Sequence, residues 1–300
     1  MKVPKELQSL IDDGVIDEVV RPLKSGKEAA VYVVRVGTEV RCAKVYKNMA
    51  QRSFQQRAQY QEGRQVRGSR AQRAMVKRTK FGRKEEESAW KNTEVEALYQ
   101  LMAVGVRVPK PHSYIDGVLV MELLTDAEGR SAPGLGTVEL APQTAREFHA
   151  FLIKQIQWML CAGLIHGDLS EYNILVTESG PVIIDLPQAV NAAGNNAARA
   201  MLVRDVGNVT ATLARFAPEL AATRYGEELW ALFATGELTR ESALTGEFID
   251  DQTPVDVEGV QQVIDDAQAE HERREYGREV ADGRHAEPRG EPTTAESHPD

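Results

Sequence analysis

Between residues 15 and 47 apolar and polar positions alternate with the period of two that half-buried strands require, in VIDEVVRPLKSGKEAAVYVVRVGTEVRCAKVYK. Turn residues at Ser25-Gly26 and Gly37-Thr38 cut this run into three successive antiparallel strands. A short helical segment, PKELQSLIDDG, precedes them and stops at Gly14. Further on, SAWKNTEVEALYQLMAVG places Trp90, Glu94, Val95, Leu98, Leu101 and Met102 at helical spacing, with Gly105 as its stop. The pattern therefore predicts one helix packed against the strands. VRVPKPHSYIDGVLVMELL, with Pro109 and Pro111 ahead of a hairpin turning at Asp116-Gly117, completes a five-stranded antiparallel sheet.

Past residue 122 helical periods take over. Thr144 and Glu147 have the spacing of a capping box for the amphipathic helix TAREFHAFLIKQIQWMLCAG, which Gly163 closes. NILVTESGPVIIDL reads as two short strands around Ser179-Gly180, and NAARAMLVRDVGNVTATLARF and ELAATRYGEELWALFATG read as helices. VDVEGVQQVIDDAQAEHERRE, over 255–275, reads as a last helix, half packed and half solvated. The expectation is an α+β chain of two lobes: residues 1–122 hold the sheet and its helix, and residues 123–270 form a mostly helical second lobe.

Charge adds two segments to this picture. The net charge of −9 conceals eleven Lys or Arg against one acid, Glu62, between residues 51 and 84, which reads as a basic insertion in the first lobe. Residues 271–300 are polar, Pro/Gly-punctuated and almost free of aliphatics, the composition of a disordered acidic tail. Cys42 and Cys161 sit in apolar runs without metal-ligand spacing and read as buried core thiols. The start of the chain lacks the apolar core of a signal peptide, and no apolar run approaches the roughly 20 residues that span a bilayer. A cytoplasmic protein without a membrane role is expected.

The chemistry is concentrated in HGDLSEYN, residues 166–173, and in the Asp that ends VIID twelve residues later. An Asp held in a loop can accept a hydroxyl proton, and an Asn five positions on can turn its amide oxygen toward a divalent ion. A carboxylate at the end of an apolar strand needs a cation or hydrogen-bond partners, and Mg²⁺ takes carboxylate and amide oxygens. Each acid alone is as readily a turn cap; the full spacing H-G-D-x-x-x-x-N then I-I-D reads as the catalytic loop and metal strand of a phosphotransferase. Asp168 is then the base, and Asn173 and Asp185 are the metal ligands. Such an enzyme also needs a strand lysine with a helix carboxylate, and Lys44 in RCAKVYK and Glu94 stand where these are required.

The phosphate turn SGKEAAVY matches neither G-x-G-x-x-G nor the Walker pattern, because Glu28 stands where the latter needs Ser or Thr. Here the chain resembles the RIO kinases, whose short phosphate loop reads S-x-G-K-E-A-x-V-Y or close to it. AKVYK, MELL, HGDLSEYNILV and IIDLPQAV extend the resemblance in order over roughly residues 7 to 210, and it is similar to the first RIO subfamily in a compact form. The resemblance implies a two-lobed protein-kinase-like fold without an activation segment. It also implies an ATP- and Mg²⁺-dependent serine/threonine kinase or kinase-ATPase, with Mn²⁺ as a substitute ion. It places Ser25, Gly26 and Lys27 near the triphosphate, Lys44 on the phosphates with Glu94 as its partner, and the backbone of Glu122 and Leu124 against adenine. Asp168, Lys44 and Asp185 are then the catalytic set, and Asp185 is a group that can accept phosphate transiently.

The chain departs from protein kinases at Gly167, where many carry Arg, and at Ser170, where protein-serine kinases carry Lys, so γ-phosphate charge must be offset elsewhere. His166 reads as a hydrogen-bonding residue and Arg204-Asp205 as a structural pair. The expected partners are ATP and a protein substrate, with RNA or a ribosomal particle for the basic segment 51–84, where Phe54, Tyr60 and Phe81 intersperse the cations. Two alternatives share the loop: a small-molecule phosphotransferase of the aminoglycoside-kinase type, and a nucleotide-sensing or RNA-binding ATPase switch. SGKEAAVY and Ser170 argue against the first, and an intact Lys44, Asp168, Asn173 and Asp185 against an inert form of the second.

Overall fold

Five strands follow the alternation in the sequence: β1 (Glu18–Ser25), β2 (Ala29–Val36), β3 (Glu39–Tyr46), β4 (Pro111–Ile115) and β5 (Val118–Glu122). They form one antiparallel sheet in the order β1-β2-β3-β5-β4. The computed structural model describes residues 3–26, 29–46 and 93–249, and all but Ile249 belong to one unit, Met1–Phe248. Lys27, the basic segment 51–84, Trp90, the last helix over 255–275 and the tail 271–300 lie outside the described residues.

The turns have the backbone their residues favour. Gly37 supplies a positive φ of 60° between β2 and β3, and Asp116 and Gly117 both take positive φ, 50° and 78°, between β4 and β5. Two such residues in succession make the hairpin turn that matches strand twist.

Both faces of the sheet are covered. On one, helix α1 (Lys5–Asp12) lays Leu7 and Leu10 against Val34, Ala43, Val45, Val118 and Val120. On the other, helix α2, over 93–103, packs Leu98 and Leu101 with Ala29, Tyr46 and Leu119. Each fully buried Leu contributes about 1.5–3 kcal/mol, so both helices are fixed by their apolar faces. Met102, expected on that stripe, is instead 38% exposed, because the stripe is narrower than the run of apolar letters. One pairing row crosses all five strands: Lys24, Val31, Lys44, Leu119 and Tyr114.

The second part is built on α3 (Pro142–Cys161), α4 (Ala198–Ala214) and α5 (Tyr225–Ala234), with hairpin β7 (Ile174–Thr177) and β8 (Gly180–Ile183). Leu152, Ile156, Met159 and Leu160 of α3 share a core with Val206, Val209 and Leu213 of α4 and Leu229 of α5. Two further short strands, β6 (Leu164–Ile165) and β9 (Val190–Asn191), pair with each other on either side of the catalytic-loop sequence. Only residues 186–197 join Asp185 to α4, as expected of a chain without an activation segment.

Four expectations need correction. Helix α3 starts at Pro142 with Ala141 as its cap and no side-chain cap bond; proline at the first helical turn sets the start, and Thr144 lies inside. Cys161 is exposed, because it ends α3 on the side turned from the core. ELAATRYGEELWALFATG divides into a 3-10 turn, Pro218–Ala222, and α5, since Thr223 and Arg224 leave helical geometry. Arg204 and Asp205 are not chiefly a mutual pair: their closest approach is 3.9 Å, and each is bound to the catalytic loop instead.

Candidate active site

The β3 alternation turns Ala43 and Val45 to the α1 side and Lys44 and Tyr46 to the other. There the Lys44 ammonium donates to Glu94 Oε1 and Oε2 of α2 at 2.7 and 2.9 Å, and to Asp185 Oδ1 at 2.6 Å. Lys44 and Glu94 are 7% and 2% exposed. A charge so buried is held only by a partner, and here each supplies the other. Burial alone would lower the Lys44 pKa, but Glu94 and then Asp185 outweigh it and leave it raised. At Asp185 burial pushes upward, and Lys44 more than reverses this, so the carboxyl lies below its ordinary value.

Tyr46 was not legible as a site residue. Its hydroxyl donates a short hydrogen bond to Glu94 Oε2, and its ring packs edge-on against Tyr114 at 6.5 Å. Burial, then the Glu94 charge, pushes its phenol pKa far up, so it remains a donor. Glu94 therefore holds Lys44 from one side while Tyr46 holds Glu94 from the other.

Asp185 follows β8 with a left-handed φ of 66°, uncommon outside glycine. Strain of this kind persists where surrounding bonds fix it, and Ile184, just before it, is fixed on both sides. The Ile184 N–H donates to the Asn173 carbonyl at 2.9 Å, and His166 Nε2 donates to the Ile184 carbonyl at 3.0 Å. His166 is thus the hydrogen-bonding residue the sequence suggested; its Nδ1 accepts the Asp168 N–H at 3.3 Å.

The HGDLSEYN loop is held from beneath by α4. Gly167 and Leu169 donate their N–H groups to Asp205 at 2.7 and 3.1 Å, Asn208 Nδ2 donates to the Leu169 carbonyl at 2.9 Å, and Arg204 donates to the Gly167 carbonyl. Asp205 is 1% exposed, and burial raises its pKa to about 6 despite His166 and the two N–H groups. Gly167 takes φ 80°, which explains glycine where kinases often carry Arg. The Asp168 carboxyl remains exposed above this cradle, and partial burial raises its pKa, with His166 and Arg204 opposing and Asp185 adding.

The donor set suits a hard divalent ion. Asn173 Nδ2 is spent on the Asp168 carbonyl at 2.9 Å, which orients the amide and leaves its oxygen as the ligand atom. Asp185 commits Oδ1 to Lys44 and retains Oδ2. One carboxylate and one amide oxygen, with no cluster of three or more His, Cys, Asp or Glu among the described residues, is the sparse set Mg²⁺ uses when phosphate oxygens and water complete its shell.

Ser25 ends β1 and, with Gly26, is exposed; Gly26 closes its turn by donating to the Ala29 carbonyl at 2.9 Å. Glu122 ends β5 and donates its N–H to the Lys110 carbonyl at 2.9 Å, while the Leu124 carbonyl accepts from Ala132 at 3.0 Å. The Leu124 N–H has no acceptor among the described residues. No helix among the described residues is long and apolar enough to cross a membrane.

Comparison with known proteins bears on this geometry. A family model described as the RIO domain matches residues 30–225. The chain is 35% identical over 233 residues to the RIO-type serine/threonine-protein kinase Rio1 of Haloferax volcanii, covering 77% of this chain and 73% of that one. It is 31% identical to Rio1 of Methanocaldococcus jannaschii, over 68% of this chain and 65% of that one. Human serine/threonine-protein kinase RIO1 is 29% identical over 79% of this chain, which spans 40% of the human protein. A solved kinase domain overlays on 66% of this chain and 63% of its own length at 14% identity and a TM-score of 0.43.

Proposed function

The chain belongs to the RIO family of serine/threonine protein kinases, and from that premise we propose that Lys44, Glu94, Asp168, Asn173 and Asp185 transfer the γ-phosphate of ATP to a protein hydroxyl. The observation that carries this reading is the meeting of Lys44, Glu94 and Asp185, which are 50 and 141 residues apart in pairs, at 2.6–2.9 Å.

Lys44, oriented by Glu94 and Tyr46, turns from Asp185 to the α- and β-phosphates. Ser25, Gly26 and Lys27 cover the phosphates from the β1-β2 turn, and Leu124 N–H with the Glu122 backbone faces adenine. Asn173 and Asp185 hold Mg²⁺, or Mn²⁺ in its place. When bound there, the ion would supply positive charge to offset that of the phosphate tail. Asp168 orients the acceptor hydroxyl and takes its proton as the oxygen attacks the γ-phosphorus; the bond to the bridging oxygen breaks and ADP leaves. A carboxyl with a raised pKa accepts that proton more readily than an ordinary one.

The hydroxyl acceptor is protein Ser or Thr, or the chain itself. Contact of residues 51–84 with RNA, and through it with a ribosomal particle, rests on their eleven cations against one acid. The test is Mg²⁺ with γ-labelled ATP and a lysate of the source cells: acid-stable label on protein Ser or Thr supports a kinase. Label confined to free phosphate and an acyl linkage on Asp185 would instead make the protein an ATPase.

A further inference from the structure

Lys24 is absent from the set that motif spacing selects, yet the sheet register brings it to the site. Just past a β-bulge between Pro22 and Lys24, which changes the face its side chain takes, it pairs with Val31 on β2, and Val31 pairs with Lys44 on β3. Residues directly opposite in an antiparallel pair present their side chains to one face, and two strand spacings amount to about 10 Å. Lys24 therefore shares the face of Lys44, adjoining Ser25 and Gly26, and it is exposed. It makes no hydrogen bond or ion pair among the described residues, and its charge is one of those holding the Asp185 carboxyl down.

The charge balance of the site gives this lysine a task. The Lys44 ammonium is already flanked by two carboxylates, Glu94 and Asp185, so the three groups together are anionic. A triphosphate brings about four negative charges at neutral pH; one divalent ion offsets half of them and Lys27, in the role proposed above, one more, which leaves charge for a further cation. Ser170 provides no cation from the catalytic loop.

We propose that Lys24 is a second phosphate-binding lysine of the nucleotide site, its ammonium contacting the phosphate tail of a nucleoside triphosphate from β1 while Lys44 contacts it from β3. This rests on the ATP site proposed above. A flexible exposed side chain can reach an anion without rearranging the sheet, and a charge-assisted contact of this type is worth about tenfold in affinity.

The experiment is direct titration of the full-length protein with Mg²⁺-ATP and, separately, with adenosine, by calorimetry, for the unaltered chain, Lys24→Ser, Lys24→Arg and Lys44→Met. Lys24→Ser is expected to weaken ATP about tenfold, leave adenosine unchanged and flatten the salt dependence of ATP binding, while Lys24→Arg retains most of the affinity. ATP binding equal to that of the unaltered protein in Lys24→Ser, with Lys44→Met impaired, overturns the role of Lys24 and leaves the ATP site standing. Equal loss for ATP and adenosine also overturns it, since the residue would then be acting through the fold. An unaltered protein that binds neither ligand brings down both the site and the lysine.

Discussion

Lys44 and Asp185, 141 residues apart, are joined by a 2.6 Å salt bridge, and the same ammonium is held by Glu94 at 2.7 Å. The two carboxylates differ in their surroundings: the Glu94 side chain is 2% exposed and the Asp185 side chain 42%. On the proposed reading Glu94 is thus the permanent partner of Lys44, and Asp185 the one that phosphate replaces there, freeing its carboxylate for the metal. Lys44→Met leaves Glu94 buried with only the Tyr46 hydroxyl, which should cost about 3–5 kcal/mol of stability. Asp185→Asn should cost far less stability while weakening Mg²⁺-ATP binding. Urea unfolding of both variants, with and without Mg²⁺-ATP, measures the asymmetry; equal destabilisation would count against it.

Tyr46→Phe removes one hydroxyl and little volume. A hydrogen bond to a buried carboxylate contributes about 1.5–3 kcal/mol, and its loss frees Glu94 to move. The expected result is a folded protein with a lower kcat, because Lys44 is less well placed in the transition state. A variant with unchanged kcat and stability would show that the Glu94 contact is incidental.

These residues also mark the limit of what the sequence made readable. Lys44, Glu94, Asp168, Asn173 and Asp185 could be picked out as candidates because each proposed role demands one residue type at a fixed offset from a strand, turn or helix. Tyr46 and Leu119 look alike in a β pattern, as apolar letters on one face, and only the third dimension shows that one of them carries a hydroxyl to Glu94. Asp205 was paired with its neighbour Arg204 because sequence displays adjacency. Its actual partners, Gly167 and Leu169, lie 38 and 36 residues away. The two-residue strands β6 and β9 have no periodicity to read, and Pro142 displaced a capping box that local spacing alone would allow.

Asp205→Asn keeps the size of the side chain but replaces one acceptor oxygen with a donor facing a backbone N–H. One of the two loop bonds becomes a clash of donors, so the Asp168 loop should lose its fixed shape. Phosphate transfer should fall by about 10²-fold, as expected for a displacement near 1 Å, while nucleotide binding at Lys44 is retained. Wild-type turnover in this variant would remove Asp205 from the account.

Two buried groups oppose each other in acid. His149 on α3 is 2% exposed and bonds Thr210 of α4 at 2.9 Å; burial lowers its pKa from 6.5 to about 4. The unfolded chain takes up that proton first, so the stability His149 confers is complete above 6.5 and is lost as pH falls toward 4. Asp205 has its pKa raised from 3.8 to about 6. The folded chain takes up that proton first, so its charged form is a stability cost above 6 that is relieved as pH falls toward 3.8. At about 1.4 kcal/mol per pH unit of displacement, each amounts to roughly 3 kcal/mol. His149→Gln should therefore gain stability on acidification from pH 6.5 to 4 relative to the parent, and Asp205→Asn should lose it. Parallel profiles for the parent and both variants in chemical denaturation would contradict the assignment.

If Asp168 is the base of a protein-directed phosphate transfer, Asp168→Asn should abolish that transfer. Purified parent and variant are given γ-labelled ATP, Mg²⁺ and a lysate of the source cells, with nucleotide affinity measured in parallel. The expected result is acid-stable label on Ser or Thr of protein with the parent, roughly 10²-fold less or lower still with the variant, and the same ATP affinity for both. Label transferred at the parent's rate by Asp168→Asn would contradict it.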